Sequence, residues 1–196
     1  MKISHVALTA AIAFSALAFT AASITFKVDK TKSKVTWIAR KVTGEHTGTV
    51  NIADGKLTSD GKNILGGSFD IDMNTITCAD LTDADYNGKL IGHLKSDDFF
   101  SVAKFPKSTL AITKATSTGN GTYKINGNLT IKGITQPIEF PATVTISATQ
   151  VTAKAKILVD RTKYDIKYGS ASFFDSLGDK AINNEFELNV DLVAKK

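Results

Sequence analysis

His93 opens the stretch HLKSDDFFSVAKFP, which crowds an imidazole, two lysines, two aspartates and the pair Phe99-Phe100 into fourteen residues. An imidazole can move a proton near neutral pH or hold a metal. A metal needs further donors, however, and the other histidines are His5, in an apolar leader-like run, and His46, in a turn-like stretch. His93 therefore reads as a capping or hydrogen-bonding group, or as a contact to the polar head of a ligand. Arg161 follows the apolar run Ile157-Leu158-Val159 and stands beside Asp160. It reads either as an ion pair at a strand end or as a guanidinium gripping a phosphate or carboxylate through two parallel hydrogen bonds. Lys163 and Tyr164 lie next to it and share both readings. The pairs Asp70/Asp72 and Glu185/Glu187 resemble the two carboxylates of a glycosidase, but their spacing of two in alternating segments marks the wet face of a strand.

The sequence carries no nucleophile elbow, phosphate loop, Cys-x-x-Cys or His-Glu-x-x-His pattern. No catalytic residue, metal ligand or cofactor is assigned, and the protein is read as a non-enzyme. A small secreted isomerase or hydrolase is one alternative, and it would need a buried acid or base with a partner inside a cavity; a structural barrel with a filled core is the other. Phe99, Phe100 and Trp37 are large apolar groups that plug a core or line a ligand site. In a hollow barrel the two roles merge, because the wall of the pocket is the core.

The N-terminus shows Lys2, an uncharged apolar run from Val6 to Phe19, and then small residues. This is the pattern of a secretory signal peptide, expected over residues 1–22, with no transmembrane anchor, and a single domain over 23–196 in the periplasm or outside the cell. The single cysteine, Cys78, cannot form an intramolecular disulfide, so the fold must stand on its core. With 24 Lys and Arg against 19 Asp and Glu the chain is mildly basic, but it has just two arginines, Arg40 and Arg161, and its lysines are scattered. Nucleic-acid binding, which needs clustered basic and aromatic residues, is not expected. A homodimer is compatible with the sequence.

The elements that must position these residues are strands. Tyr123, Ile125, Leu129 and Ile131 alternate with polar residues, as do Ile138, Phe140, Val144 and Ile146; Phe186, Leu188, Val190 and Leu192; and Phe69, Ile71 and Met73. Strands wet on one side belong to antiparallel sheets. Turn signals near Asp29, Ala53, Ser59, Ser117 and Lys132 separate them, so hairpin follows hairpin. About eight strands in a meander either stack or close, and closure removes the edges. The expected fold is all-β: an antiparallel up-and-down barrel, favoured over a sandwich. Ala79 to Leu94 breaks the period of two, with Tyr86, Leu90 and Leu94 at helical spacing. Ser96 reads as the N-cap of a second short helix carrying Phe99 and Phe100. This helical insert is expected to lie across one barrel end as a lid.

His93-Leu94-Lys95-Ser96, Asp98-Phe99-Phe100, Phe105-Pro106, INGNLTIKGITQPI from Ile125 and the closing pattern from Asp160 together resemble the YceI-like family, secreted lipocalin-like barrels associated with polyisoprenoid or other long-chain lipids. The resemblance implies binding, sequestration or transport of a long-chain isoprenoid or fatty-acyl lipid, with Trp37, His93, Phe99, Phe100, Arg161 and Tyr164 as ligand-binding candidates. Many relatives carry an Arg-Asp pair where this chain has Leu90 and Ile91, so a full diphosphate site is not expected.

Overall fold

The computed structural model describes residues 23–196. The leader expected over residues 1–22 lies outside the described residues. Among the described residues the strands are β1 (Ile24–Val28), β2 (Lys34–Lys41), β3 (Gly44–Ser59), β4 (Ile64–Asp72), β5 (Lys107–Gly119), β6 (Thr122–Ile131), β7 (Ile134–Ile146), β8 (Gln150–Asp160) and β9 (Ile182–Lys195), with one α-helix, α1 (Ala84–Lys95). Strands β2 to β9 pair antiparallel in chain order, and β9 pairs back onto β2. The result is a closed eight-position barrel. The short β1 continues the line of β2: it pairs the same neighbours, β3 through Ile24↔Ser59 and β9 through Lys27↔Lys195, beyond the reach of β2. Residues 29–33 therefore interrupt a single barrel strand. The Ser33 hydroxyl stitches the break by donating to the Val193 carbonyl and accepting the Val193 amide.

The apolar faces read from the alternation point inward. Ile125, Leu129, Ile131, Phe140, Val144, Leu192 and Phe69 are all buried in one continuous core. Two of the two-residue reversals use left-handed pairs: Asn120-Gly121 between β5 and β6, and Lys132-Gly133 between β6 and β7, all with positive φ. Such primed turns match the right-handed twist of the strands they join.

Two expectations are corrected. Ala53 marks no turn: β3 runs through it to Ser59, and the signal is a bulge, with the register to β4 shifting between Ile52 and Asp54. Gly55 is needed there for space, because a Cβ would lie 2.7 Å from Val28 and 2.8 Å from Phe69. Nor does a second helix follow Ser96. Ser96 is the C-cap of α1, and both its amide and its hydroxyl donate to the His93 carbonyl. The chain then runs through turns in which Ser101 takes φ 50, a conformation that a helix cannot continue. The single helix also begins later than its spacing predicts, at Ala84, where the Asp83 carboxylate accepts the amides of Asp85 and Tyr86. Thr77 and Ala79 are drawn off instead by β3, donating to the carbonyls of Thr49 and Thr47.

The ladder between β7 and β8 covers only Ala142–Ile146, so the first half of β7 has no partner on that side. Pro137 and Pro141 account for this. Neither has an amide hydrogen to donate, and both sit in the half of β7 that pairs β6 alone. The gap falls at the barrel end where β4, β6 and β8 finish. Gln136 spans it by donating to the Lys163 carbonyl.

Candidate functional site

The barrel encloses a cavity of about 210 Å³. Its wall is built from the inward residues of the strands, and Ser108, Arg161 and Asn183 are its only polar residues besides the indole N–H of Trp37. The volume corresponds to roughly seven waters at ~30 Å³ each, and it exceeds the ~150 Å³ apolar cavity that stays dry and admits benzene. Such a space gives water too few polar partners, so an apolar guest is favoured over solvent.

The helical insert lies at one end of this cavity. Leu94 of α1 and both Phe99 and Phe100 contribute to the wall, while Leu90 and Ile91 pack against the core from the same insert. Phe99 is buried and Phe100 half-buried, its ring edge-on to Phe186 of β9 at 6.3 Å. A second loop, residues 165–181, meets the insert. Tyr168 packs on His93 at 4.6 Å and on Phe99 at 5.5 Å between ring centroids. The Lys132 ammonium donates to the carbonyls of both Asp97 and Asp165, joining insert and loop from below.

The six residues singled out in the sequence divide by position. Trp37, Phe99, Phe100 and Arg161 form part of the wall. His93 stands outside it, half-exposed, edge-on to Phe99 at 4.9 Å and hydrogen-bonded through Nε2 to Asp98 at 3.0 Å. Tyr164 is buried behind the wall, where desolvation and then Asp160 push its hydroxyl pKa up. Arg161 forms no ion pair with Asp160, whose carboxylate caps Thr162. Its guanidinium donates to four backbone carbonyls: Nε to Asn183, Nη1 to Ile166 and Tyr168, and Nη2 to Ile182, at 2.8–3.0 Å. Burial lowers its pKa, opposed by the nearby Asp160 charge. Four of its five donors are thus committed, two to the 165–181 loop and two to the start of β9, and together they hold one onto the other. The buried wall residues Ile166 and Ser108 escaped notice in the sequence, because neither belongs to a clean alternation.

A closed antiparallel barrel around an apolar-lined cavity, with a helical insert at one end, is an architecture whose interior has room for one small apolar guest. The chain belongs to the YceI-like family, whose domain matches residues 26–194. It is 34% identical over 95 residues to a UPF0312 protein of Shewanella denitrificans, covering 48% of this chain and 47% of the relative. It is also 34% identical over 98 residues to one of Yersinia pestis, covering 50% and 48%. The chain therefore spans about half the length of the curated relatives it matches. Among solved structures it is similar in fold to BcnA of Burkholderia cenocepacia, with TM-score 0.68 at 22% identity, covering 85% of this chain and 99% of that one. It is similar as well to a Saccharophagus degradans structure described as a polyisoprenoid binding domain, with TM-score 0.65 at 15% identity, covering 87% and 97%.

Proposed function

We propose that the protein is a non-enzymatic binder that takes the apolar chain of a polyisoprenoid-like or fatty-acyl lipid into the barrel and carries it through an exported compartment. The observation that carries this reading is the wall itself: strand side chains of Ile, Leu, Val and Phe surround about 210 Å³ with three polar residues among them. Each CH₂ moved from water into such a space contributes about 0.8 kcal/mol before ordering costs. The likeness to a polyisoprenoid binding domain supports the choice of guest.

Arg161 serves the wall and not the head of the ligand, because its donors are already turned to backbone carbonyls. With Leu90 and Ile91 apolar on the insert, the favoured guest has a neutral or outward-facing head. Export rests on the leader-like residues 1–22, and among the described residues no helix is long and apolar enough to cross a membrane. The test is native mass spectrometry of protein purified without detergent. A co-purifying lipid, or uptake of an added isoprenoid alcohol with a rise in Tm, is expected. Protein that carries no lipid and gains no stability from isoprenoid or fatty-acyl chains would leave the barrel a structural element only.

A further inference from the structure

We infer that His46, Cys78 and Asp80 form a binding site for a borderline-soft divalent cation, with zinc the best match to the donors. His46 lies at the start of β3, and Cys78 and Asp80 lie on the strip between β4 and α1, more than thirty residues away in the chain. The fold brings one imidazole nitrogen, one thiol sulfur and one carboxylate oxygen within 4.8 Å of one another. Nitrogen, sulfur and oxygen donors in a set of three are the ligands of open zinc sites, where water takes the fourth position. The His46 and Asp80 side chains are each 30% exposed, which leaves that position room. Thiolate and carboxylate together neutralise the charge of the ion.

The donors are held before any ion arrives. The strip is laid along β3 by the amides of Thr77 and Ala79, which donate to Thr49 and Thr47 at 2.9 and 2.8 Å. From the other side Asn87 of α1 donates to the carbonyls of Cys78 and Leu81. Without metal, Asp80 gathers the cluster: Oδ2 meets His46 Nδ1 at 2.7 Å, and Oδ1 accepts the Cys78 thiol at 3.2 Å and the Thr47 amide at 2.8 Å. Donor atoms around a tetrahedral zinc sit roughly 3.3–3.6 Å apart, given bonds of about 2.0–2.3 Å. The two contacts to Asp80, at 2.7 and 3.2 Å, are shorter than this spacing, so an ion entering the cluster would part them. On binding, the thiol proton leaves to solvent and a Zn–S bond replaces the S–H bond. His46, whose Nδ1–H donates to the Asp80 carboxylate, releases that proton as the ion binds, either to solvent or by a tautomer change that leaves the ring N–H on Nε2, and Nδ1 then offers its lone pair. The Thr47 amide stays on the Asp80 carboxylate as an outer contact that orients it.

An ion here would pin the strip that leads into the helical insert onto the barrel wall. Trp37, the single tryptophan, reports on that strip, because its indole donates to the carbonyl of Thr77, the neighbour of Cys78. The site does not rest on the lipid reading, and lipid-free protein serves for its test.

Zinc chloride is titrated calorimetrically into the full protein carrying no affinity tag, and cobalt(II) is titrated in parallel. One zinc per chain is expected, with a change in Trp37 emission and a thiolate-to-cobalt charge-transfer band in the near ultraviolet. Cys78→Ser should abolish that band and weaken zinc by at least about tenfold. His46→Gln should weaken zinc by about tenfold while keeping the band. The His46 side chain is partly exposed and Cys→Ser is nearly isosteric at the less exposed Cys78, and circular dichroism verifies that each variant folds. Absence of zinc uptake at about 0.1 mM, or equal affinity in parent and both variants, would overturn the inference.

Discussion

The indole N–H of Trp37 donates to the carbonyl oxygen of Thr77 at 3.0 Å. The two residues lie on opposite sides of β3, and they meet across Gly48. A Cβ on Gly48 would sit 1.8 Å from the Thr77 oxygen and 2.8 Å from the Trp37 ring. One missing side chain thus lets a wall residue of the cavity hold the strip that leads into the helical insert.

Gly48→Ala should accordingly push the strip off β3 and break the indole hydrogen bond. Overpacking of this kind costs about 1–3 kcal/mol or more, because the clashing atom is backbone and cannot swing aside. The measurement is urea unfolding combined with Trp37 emission, which should shift as the indole loses its partner. A variant with parental stability and emission would show that the strip is free to move.

Arg161→Met should destabilise the fold by about 1–3 kcal/mol or more, since it leaves the buried carbonyl of Ile166 and the part-buried carbonyls of Tyr168, Ile182 and Asn183 without this donor. Arg161→Lys should rescue little, because an ammonium cannot span four acceptors in the plane of a guanidinium. Hydrogen exchange should speed up first in residues 165–181, the loop that the guanidinium clamps. Full stability in the methionine variant, with loss of affinity confined to anionic lipids, would return Arg161 to the role of a headgroup ligand.

Phe99→Ala should cost about 3–5 kcal/mol, the range for a buried ring, and Phe100→Ala less, because Phe100 is half-buried. For an isoprenoid probe the order of effects is set by the cavity wall, to which both rings belong. Affinity should fall in each variant that still folds. Equal affinity in folded Phe100→Ala and parent would remove that ring from the binding surface.

Asp29 anchors the end of β9. Its carboxylate pairs with Lys195 at 2.8 Å and accepts the Thr31 hydroxyl, and these contacts lower its pKa from 3.8 to about 2. A depressed carboxylate pKa contributes stability that is full above the unfolded value and is lost as pH falls through the folded one. The Tm difference between parent and Asp29→Asn should be steady above pH 3.8 and close as the pH is taken down to about 2. Added salt should shrink it, since the Lys195 side chain is 47% exposed to solvent, although Asp29 is only 16% exposed. A difference that is unchanged through this window would assign the contribution to the Thr31 turn and not to charge.

Much of the barrel is legible in the chain alone. Period-two alternation in segments such as Tyr123 to Ile131 decides which side chains face inward, and each two-residue Gly-containing turn decides where a strand ends. Both are local effects, set by pleat geometry and by allowed φ, so they survive without knowledge of the partner strand. The aromatic weight of Phe99-Phe100 beside a break in that alternation likewise marks the lid.

Tertiary structure decided the rest, wherever a group's role depends on residues distant in the chain. Arg161 next to Asp160 offered an ion pair or an anion grip, yet neighbouring charges lost to four carbonyls that the loop after it folds back to present. Ser96 carries the side chain of an N-cap, but the helix before it already supplied carbonyls for its hydroxyl, and it became a C-cap. Ala53 looked like a turn because bulges and turns draw on the same small and polar residues, and only pairing with β4 separates them. His46, Cys78 and Asp80 show no motif at all. Their donors converge because Gly48 allows one strip of backbone to lie against β3, a proximity that spacing along the chain does not encode.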